Sequence, residues 1–143
     1  MILNFGVEEM AYPEEIAPNG KVARAAKSTS AVAEELEARY GVMYAFFLLH
    51  EEEITALLNR DIARSIADYW QQGGDFKVRI SQESLQEIED MFRLFLDNEE
   101  IVGLGVYGVP THAALKEGRP SFIDTGLYQE CFRAWIGGSD GGG

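Results

Sequence analysis

Asp124, Thr125 and Gly126 follow the apolar pair Phe122 and Ile123. An aspartate in that setting can be half of a carboxylate dyad, in which two aspartates share a proton and activate water. One such triplet in 143 residues could complete the dyad only across a homodimer. Three other places invite chemistry. His50 and Glu53 share a helix face, as metal ligands would. The pattern is not His-Glu-x-x-His, and the only other histidine is His112. A di-metal site would need Glu-x-x-His units on two helices. The pair therefore reads as a solvated acidic patch that ends an apolar run. Gly103, Gly105 and Gly108 fit the letters of Gly-x-Gly-x-x-Gly, but no strand and long helix flank them and Pro110 follows at once, so they read as a loop. Cys131 has no evident base, and neither a nucleophile elbow nor a phosphate loop occurs.

The surroundings of the triplet weigh against a homodimeric aspartic protease. Such enzymes are nearly all β, whereas helical periodicity dominates this chain. Only 17 residues follow Gly126, several of them glycine. The plainer reading is local geometry. Asp124 or Thr125 caps a short helix through its side-chain oxygen, and Gly126 permits positive φ or close backbone approach. Leu127 to Cys131 forms the helical turn. Phe132 to Ile136 alternates as a strand, with Phe132, Ala134 and Ile136 on one face and Arg133 and Trp135 on the other.

These elements stand in an acidic chain. Its formal net charge is −12, which argues against wrapping nucleic acid, because phosphate binding is driven by Lys and Arg. Such a surface repels DNA and could line a DNA channel; the plainer function of the charge is solubility. Hydrophobic content of 46% and charged content of 25% are ordinary for one globular domain. The single cysteine excludes a disulfide framework and a multi-cysteine zinc site, and suits a reducing compartment. No signal peptide opens the sequence, and the longest apolar run, Val42 to Leu49, is far short of a bilayer span. The expectation is a soluble protein made inside the cell.

Residues 1–28 read as an extended arm, apolar at Ile2, Leu3, Phe5, Met10 and Tyr12 and interrupted by Pro13 and Pro18. Such an arm is either disordered or ordered against a neighbouring subunit. Lys21 to Lys27 suggests a helical turn with a basic side. Ser28, Thr29 and Ser30 are N-cap candidates for a helix over 31–40, which Gly41 breaks. Val42 to Gln72 reads as one helix with an apolar stripe at Phe47, Ile54, Leu58, Ile62, Ile66 and Tyr69. Its first two turns are apolar all round and are expected to be buried on several sides. Roughly thirty residues make a rod of about 45 Å, long enough to suggest packing against other subunits. Gly73 and Gly74 end it. Trp70 with Tyr69, and Trp135, suit a core or an interface better than base stacking in so acidic a chain.

Phe76 to Ile80 is a short strand or extended linker. Ser84 with Glu87 forms a capping box for a helix whose face is Leu85, Ile88, Phe92 and Phe95, widened by Met91 and Leu94 and ending near Asn98. Ile101 to Val109 is irregular, and Pro110 and Thr111 lead into a short helix over 112–117 that Gly118 closes. The fold class is thus α+β, mainly α, with long N-terminal helices and a small β element near the C-terminus. The organisation is an arm over 1–28, one domain over 29–136 and a flexible glycine-rich tail over 137–143.

Gly108 to Leu115, followed by Arg119 to Trp135, resembles proteins of the virion-assembly regions of tailed bacteriophages. Asp124-Thr125-Gly126-Leu127 with its short helix and strand looks like the Thr-Gly-x-Leu element of phage tail-completion and neck proteins. Tyr40 to His50 resembles the helical body of the same proteins. The resemblance implies a non-enzymatic structural subunit, a ring-forming head–tail connector (neck) or tail-completion (terminator) protein, located in the virion and assembled in the host cytoplasm. It implies a homo-oligomeric ring and contacts with other virion proteins: portal or connector, tail tube or tail terminator. No cofactor, metal, membrane or sequence-specific nucleic acid is expected. The interface candidates are Phe122, Ile123, Asp124, Thr125, Gly126, Leu127, Tyr128 and Trp135, since aromatic anchors dominate interfaces. A homodimeric protease built on Asp124, or an acidic regulator that binds a host protein, are the competing classes.

Overall fold

The computed structural model describes residues 1–11, 15, 16, 18–20, 22–24, 28–117 and 126–137. The fold is α+β and mainly helical, with one long helix and a small antiparallel sheet that includes the C-terminal strand. Strand β1 (Ile2–Val7) pairs antiparallel with β4 (Phe132–Gly137), in register from Ile2 opposite Gly137 to Val7 opposite Phe132. The two ends of the described chain therefore close on each other. Side chains alternate across a strand, so Leu3, Phe5 and Val7 share the inner face with Ile136, Ala134 and Phe132. The opening apolar residues thus cover the chain's own core, an arrangement outside both fates expected for an arm.

Residues 22–24, expected in a helical turn, are strand β3 (Val22–Arg24), which pairs antiparallel with β2 (Glu15–Ile16). Helix α1 (Thr29–Tyr40) starts at the expected cap: Ser28 Oγ accepts from the Ala31 N–H at 3.1 Å. Thr29 is fully buried and ties this start to the segment after β1. Its N–H donates to the Met10 carbonyl, and its hydroxyl oxygen accepts from the Met10 N–H at 2.8 Å. Gly41 stops α1 at φ 59°, a left-handed conformation that glycine adopts without Cβ strain.

Helix α2 (Val42–Gln72) has the expected limits. The carboxylate of Glu37 accepts from the Met43 and Tyr44 N–H groups and so occupies the helix's orphan donors. The first two turns are not buried all round: Val42, Ala45 and Phe46 face the core, while Tyr44, Leu48 and Leu49 are exposed. The apolar stripe also fails beyond mid-helix. The buried positions are Ile54, Asp61 and Ser65, whereas Ile66 and Tyr69 are exposed. Gly73 and Gly74, both at positive φ, end the helix.

Residues 76–80 form neither helix nor strand. Helix α3 (Gln82–Asp97) begins one turn earlier than the capping box placed it. Ser81 is the N-cap and accepts from the Ser84 N–H at 3.1 Å. Its buried face holds Leu85, Ile88, Phe92 and Phe95 as expected. Leu96 joins them, and Leu94 points to solvent instead. A 3-10 helix (Glu100–Leu104) lies within the segment expected to be irregular. Helices α4 (His112–Glu117) and α5 (Leu127–Cys131) follow, with α5 running directly into β4. The core is an aromatic cluster between α2, α3 and β4. Phe92 stacks on Phe132 with centroids 3.9 Å apart, and Phe46 meets Phe92 edge-on at 5.2 Å.

Candidate interaction surface

The expected interface around the Asp-Thr-Gly triplet divides into three parts. Phe122, Ile123, Asp124 and Thr125 lie outside the described residues, as do Gly118 and the glycine-rich 138–143. Gly126 is the N-cap position of α5 at φ 82°, and its carbonyl accepts from the Glu130 N–H at 2.9 Å. That places the cap at a residue with no side-chain oxygen, rather than at Asp124 or Thr125. Tyr128 corrects the interface reading: it is 1% exposed and meets Phe92 edge-on at 5.8 Å, a core position. Leu127 is half-buried, and only Trp135 presents a large exposed surface. The Trp135 indole lies over Gly6 on the neighbouring strand, so close that a Cβ there would stand 2.8 Å from the ring. The strand faces follow the sequence pattern, with Phe132 and Ala134 buried and Trp135 outward.

The candidate chemical groups are held in structural roles. His50 carries non-helical torsions (φ −114°, ψ 15°) inside α2. Its Nδ1 is 3.0 Å from Glu53 and its Nε2 is 3.0 Å from Glu100, so the ring links α2 to the 3-10 helix. Among the described residues, no three His, Cys, Asp or Glu side chains converge as a metal site. Cys131 is buried, and desolvation pushes its thiol pKa up, away from the reactive thiolate.

The strongest electrostatic feature is one the sequence reading did not single out. Asp61 is 2% exposed on α2. Its Oδ2 accepts from the Ser81 N–H at 2.9 Å, the Ser81 hydroxyl at 3.0 Å and the Ser84 hydroxyl at 2.7 Å. Arg60 and Arg64 stand 3.6 and 3.7 Å from Oδ1, and Arg60 also donates to Ser84 Oγ. The Ser81 N–H, then the two hydroxyls and Arg60, hold the carboxyl at about 2, against the opposing effect of burial. One turn on, Ser65 accepts from the Arg79 N–H at 2.9 Å. These contacts clasp the 76–81 segment and the start of α3 onto the middle of α2. Asp61 and Ser65 keep helical phase with Ile54, which is the signal by which the sequence could have shown them.

Past that clasp, α2 carries exposed apolar side chains. Tyr69 meets Trp70 edge-on at 6.2 Å and Phe76 at 5.5 Å. Trp70 is 80% exposed, and Phe76 is half-exposed. On the first half of α2, a groove of about 600 Å³ runs between β1 and the helix, lined by Leu3, Phe5, Met43, Tyr44, Phe47 and Leu58.

No family model matches this chain, and neither the curated proteins nor the solved structures contain a match to it.

Single exposed apolar residues are normal on a protein surface, but contiguous aromatic patches mark contact sites. Tyr69 and Trp70 near the end of α2 and Phe76 just beyond it form one exposed aromatic cluster. The described residues also form the groove between β1 and the first half of α2, which Glu37 lines as well.

Proposed function

We propose that this chain is a structural subunit of a tailed-phage virion, a ring-forming head–tail connector (neck) or tail-completion (terminator) protein rather than an enzyme. The observation that carries the reading is α2. It is 31 residues long, and its last turns leave the core with Tyr69 and Trp70 exposed and grouped with Phe76 beyond the helix end. Exposed aromatic side chains are the anchors by which a subunit holds its neighbours. The sequence resemblance of 108–135 to tailed-phage assembly proteins supplies the setting. The virion is the site of action, assembly takes place in the host cytoplasm, and the acidic surface suits a wall that repels DNA.

The experiment is particle composition. Purified virions should contain the chain at a fixed copy number by quantitative mass spectrometry. Phage lacking its gene should accumulate heads and tails that do not join, or tails of aberrant end structure. Absence from purified particles, with normal virion yield after deletion, overturns the proposal.

A further inference from the structure

We infer that the open edge of β1 takes an added strand: an extended segment of another protein, apolar at alternate positions, lies along Leu3 to Val7 and sets those side chains into the groove against α2. The direction of the backbone is the first ground. The Glu8 N–H donates to the Cys131 carbonyl at 2.7 Å, one step beyond the last β1–β4 pair. Bonded and non-bonded pairs alternate in an antiparallel ladder. Ile2, Asn4 and Gly6 therefore bond to β4, and Leu3, Phe5 and Val7 turn their N–H and C=O groups the other way. The Ala134 N–H, opposite Phe5, has the same phase, since it leaves the sheet to reach Glu89 at 3.3 Å.

The two edges of the sheet differ. On β4, side chains of α3 take up the outward groups: Glu89 accepts from Ala134, and Arg93 donates to the Phe132 carbonyl at 3.4 Å. On β1, no described residue bonds to the outward groups of Leu3, Phe5 or Val7, which are half-buried. Backbone groups taken from water are paired in proteins, and an open edge is a template for another strand. Donors and acceptors at strand spacing are matched by an extended backbone, not by a helix, whose own are spent internally.

The groove defines the side chains of that strand. Leu3 and Phe5 form one wall of the 600 Å³ space, and Met43, Tyr44, Phe47 and Leu58 of α2 form the other; β4 takes no part in it. Residues of an added strand opposite Leu3 and Phe5 fall on the same face of the sheet and enter this space, while those between them face away. The inward residues are therefore apolar. Charge adds a second requirement. Glu37 is the one charged side chain that lines the groove, and no cation lines it. The complementary segment carries a lysine or arginine where it passes Glu37. Strand addition needs no particle, so it stands or falls apart from the virion reading.

The probe is the peptide Lys-Val-Thr-Val-Thr-Val-Lys, blocked at both ends and added to the full chain. Hydrogen exchange at the Leu3, Phe5 and Val7 amides, read by NMR, should slow several-fold, with amide shifts confined to β1 and the first half of α2. A version N-methylated at its valines and threonines should give no protection, since it keeps the side chains and loses the backbone donors. A version with glutamate in place of lysine should protect less. Tyr44→Lys should abolish the protection and leave Tm unchanged, because Tyr44 is 65% exposed and forms a groove wall. Exchange at the three amides unchanged by the peptide, equal protection by the N-methylated or the glutamate version, or protection that survives Tyr44→Lys overturns the inference. Protection that grows with protein concentration in the absence of peptide also overturns it, and assigns the edge to a second copy.

Discussion

Asp61 and its donors decide how the two halves of the helical body are joined. A carboxylate buried with three hydrogen bonds and two guanidinium neighbours is stable only while its donors stay in place. Asp61→Ala leaves the Ser81 N–H and Ser84 hydroxyl without this acceptor in a buried setting. It should cost about 2–4 kcal/mol in urea denaturation. The same group predicts an acid sensitivity. Its carboxyl is depressed from 3.8 to about 2 in the folded chain. Its contribution is therefore complete above the unfolded value and is lost as pH falls from 3.8 towards 2. Denaturation midpoints measured across that range should fall more steeply for the native protein than for Asp61→Asn. Equal slopes would remove Asp61 as the source.

At the scale of elements, the start of α3 separates two readings of one sequence. Ser84 with Glu87 has the letters of a capping box, yet Ser81 is the cap and Ser84 is turned towards Asp61. Ser81→Ala removes both a helix cap and a donor to the buried carboxylate, and should lower stability by about 1–2 kcal/mol. Glu87 is exposed and has no part in that cap. Glu87→Ala should stay within about 0.5 kcal/mol of the native protein. Thermal unfolding of the two variants side by side checks the assignment. The β1–β4 pair is fixed by side chains of α3. Glu89 on α3 accepts from the Ala134 N–H, and Arg93 donates to the Glu130 and Phe132 carbonyls. The short sheet is thereby held to α3, where two isolated strands would be marginal in water.

For the whole molecule, the distribution of apolar surface matters more than its amount. The core is aromatic and compact around Phe46, Phe92 and Phe132, and it takes up only the first half of α2. The second half is clasped to α3 by polar contacts and ends in an exposed aromatic group. Trp70→Asp should therefore leave the unfolding transition of the isolated chain within about 0.5 kcal/mol of native. On the proposed virion reading, the same substitution should remove the chain from purified particles. A variant that unfolds early would make Trp70 a stability residue and withdraw it from the contact surface.

The sequence by itself determined the long helices and most of their limits, because those are written in local terms. Ser28 as a cap, Gly41 and Gly73 as stops, and the 3.6-residue face of α3 all act within a few residues of themselves. The alternation of Phe132 to Ile136 likewise fixed which face of β4 turns inward. Tertiary structure decided what those elements face. Helical period sets Asp61 and Ser65 in phase with Ile54 but does not say where burial stops along α2: Asp61 meets the Ser81 and Ser84 donors, whereas Tyr69, two turns on, is exposed. Strand pairing across 130 residues of chain is a non-local choice, so Phe5 could become the lid of the core instead of part of an arm. Of the triplet that first suggested chemistry, the described part is Gly126. It opens a five-residue helix that turns Tyr128 into the core and passes the chain to β4. The exposed aromatic side chains lie at the far end of α2, where burial stops and the helix continues.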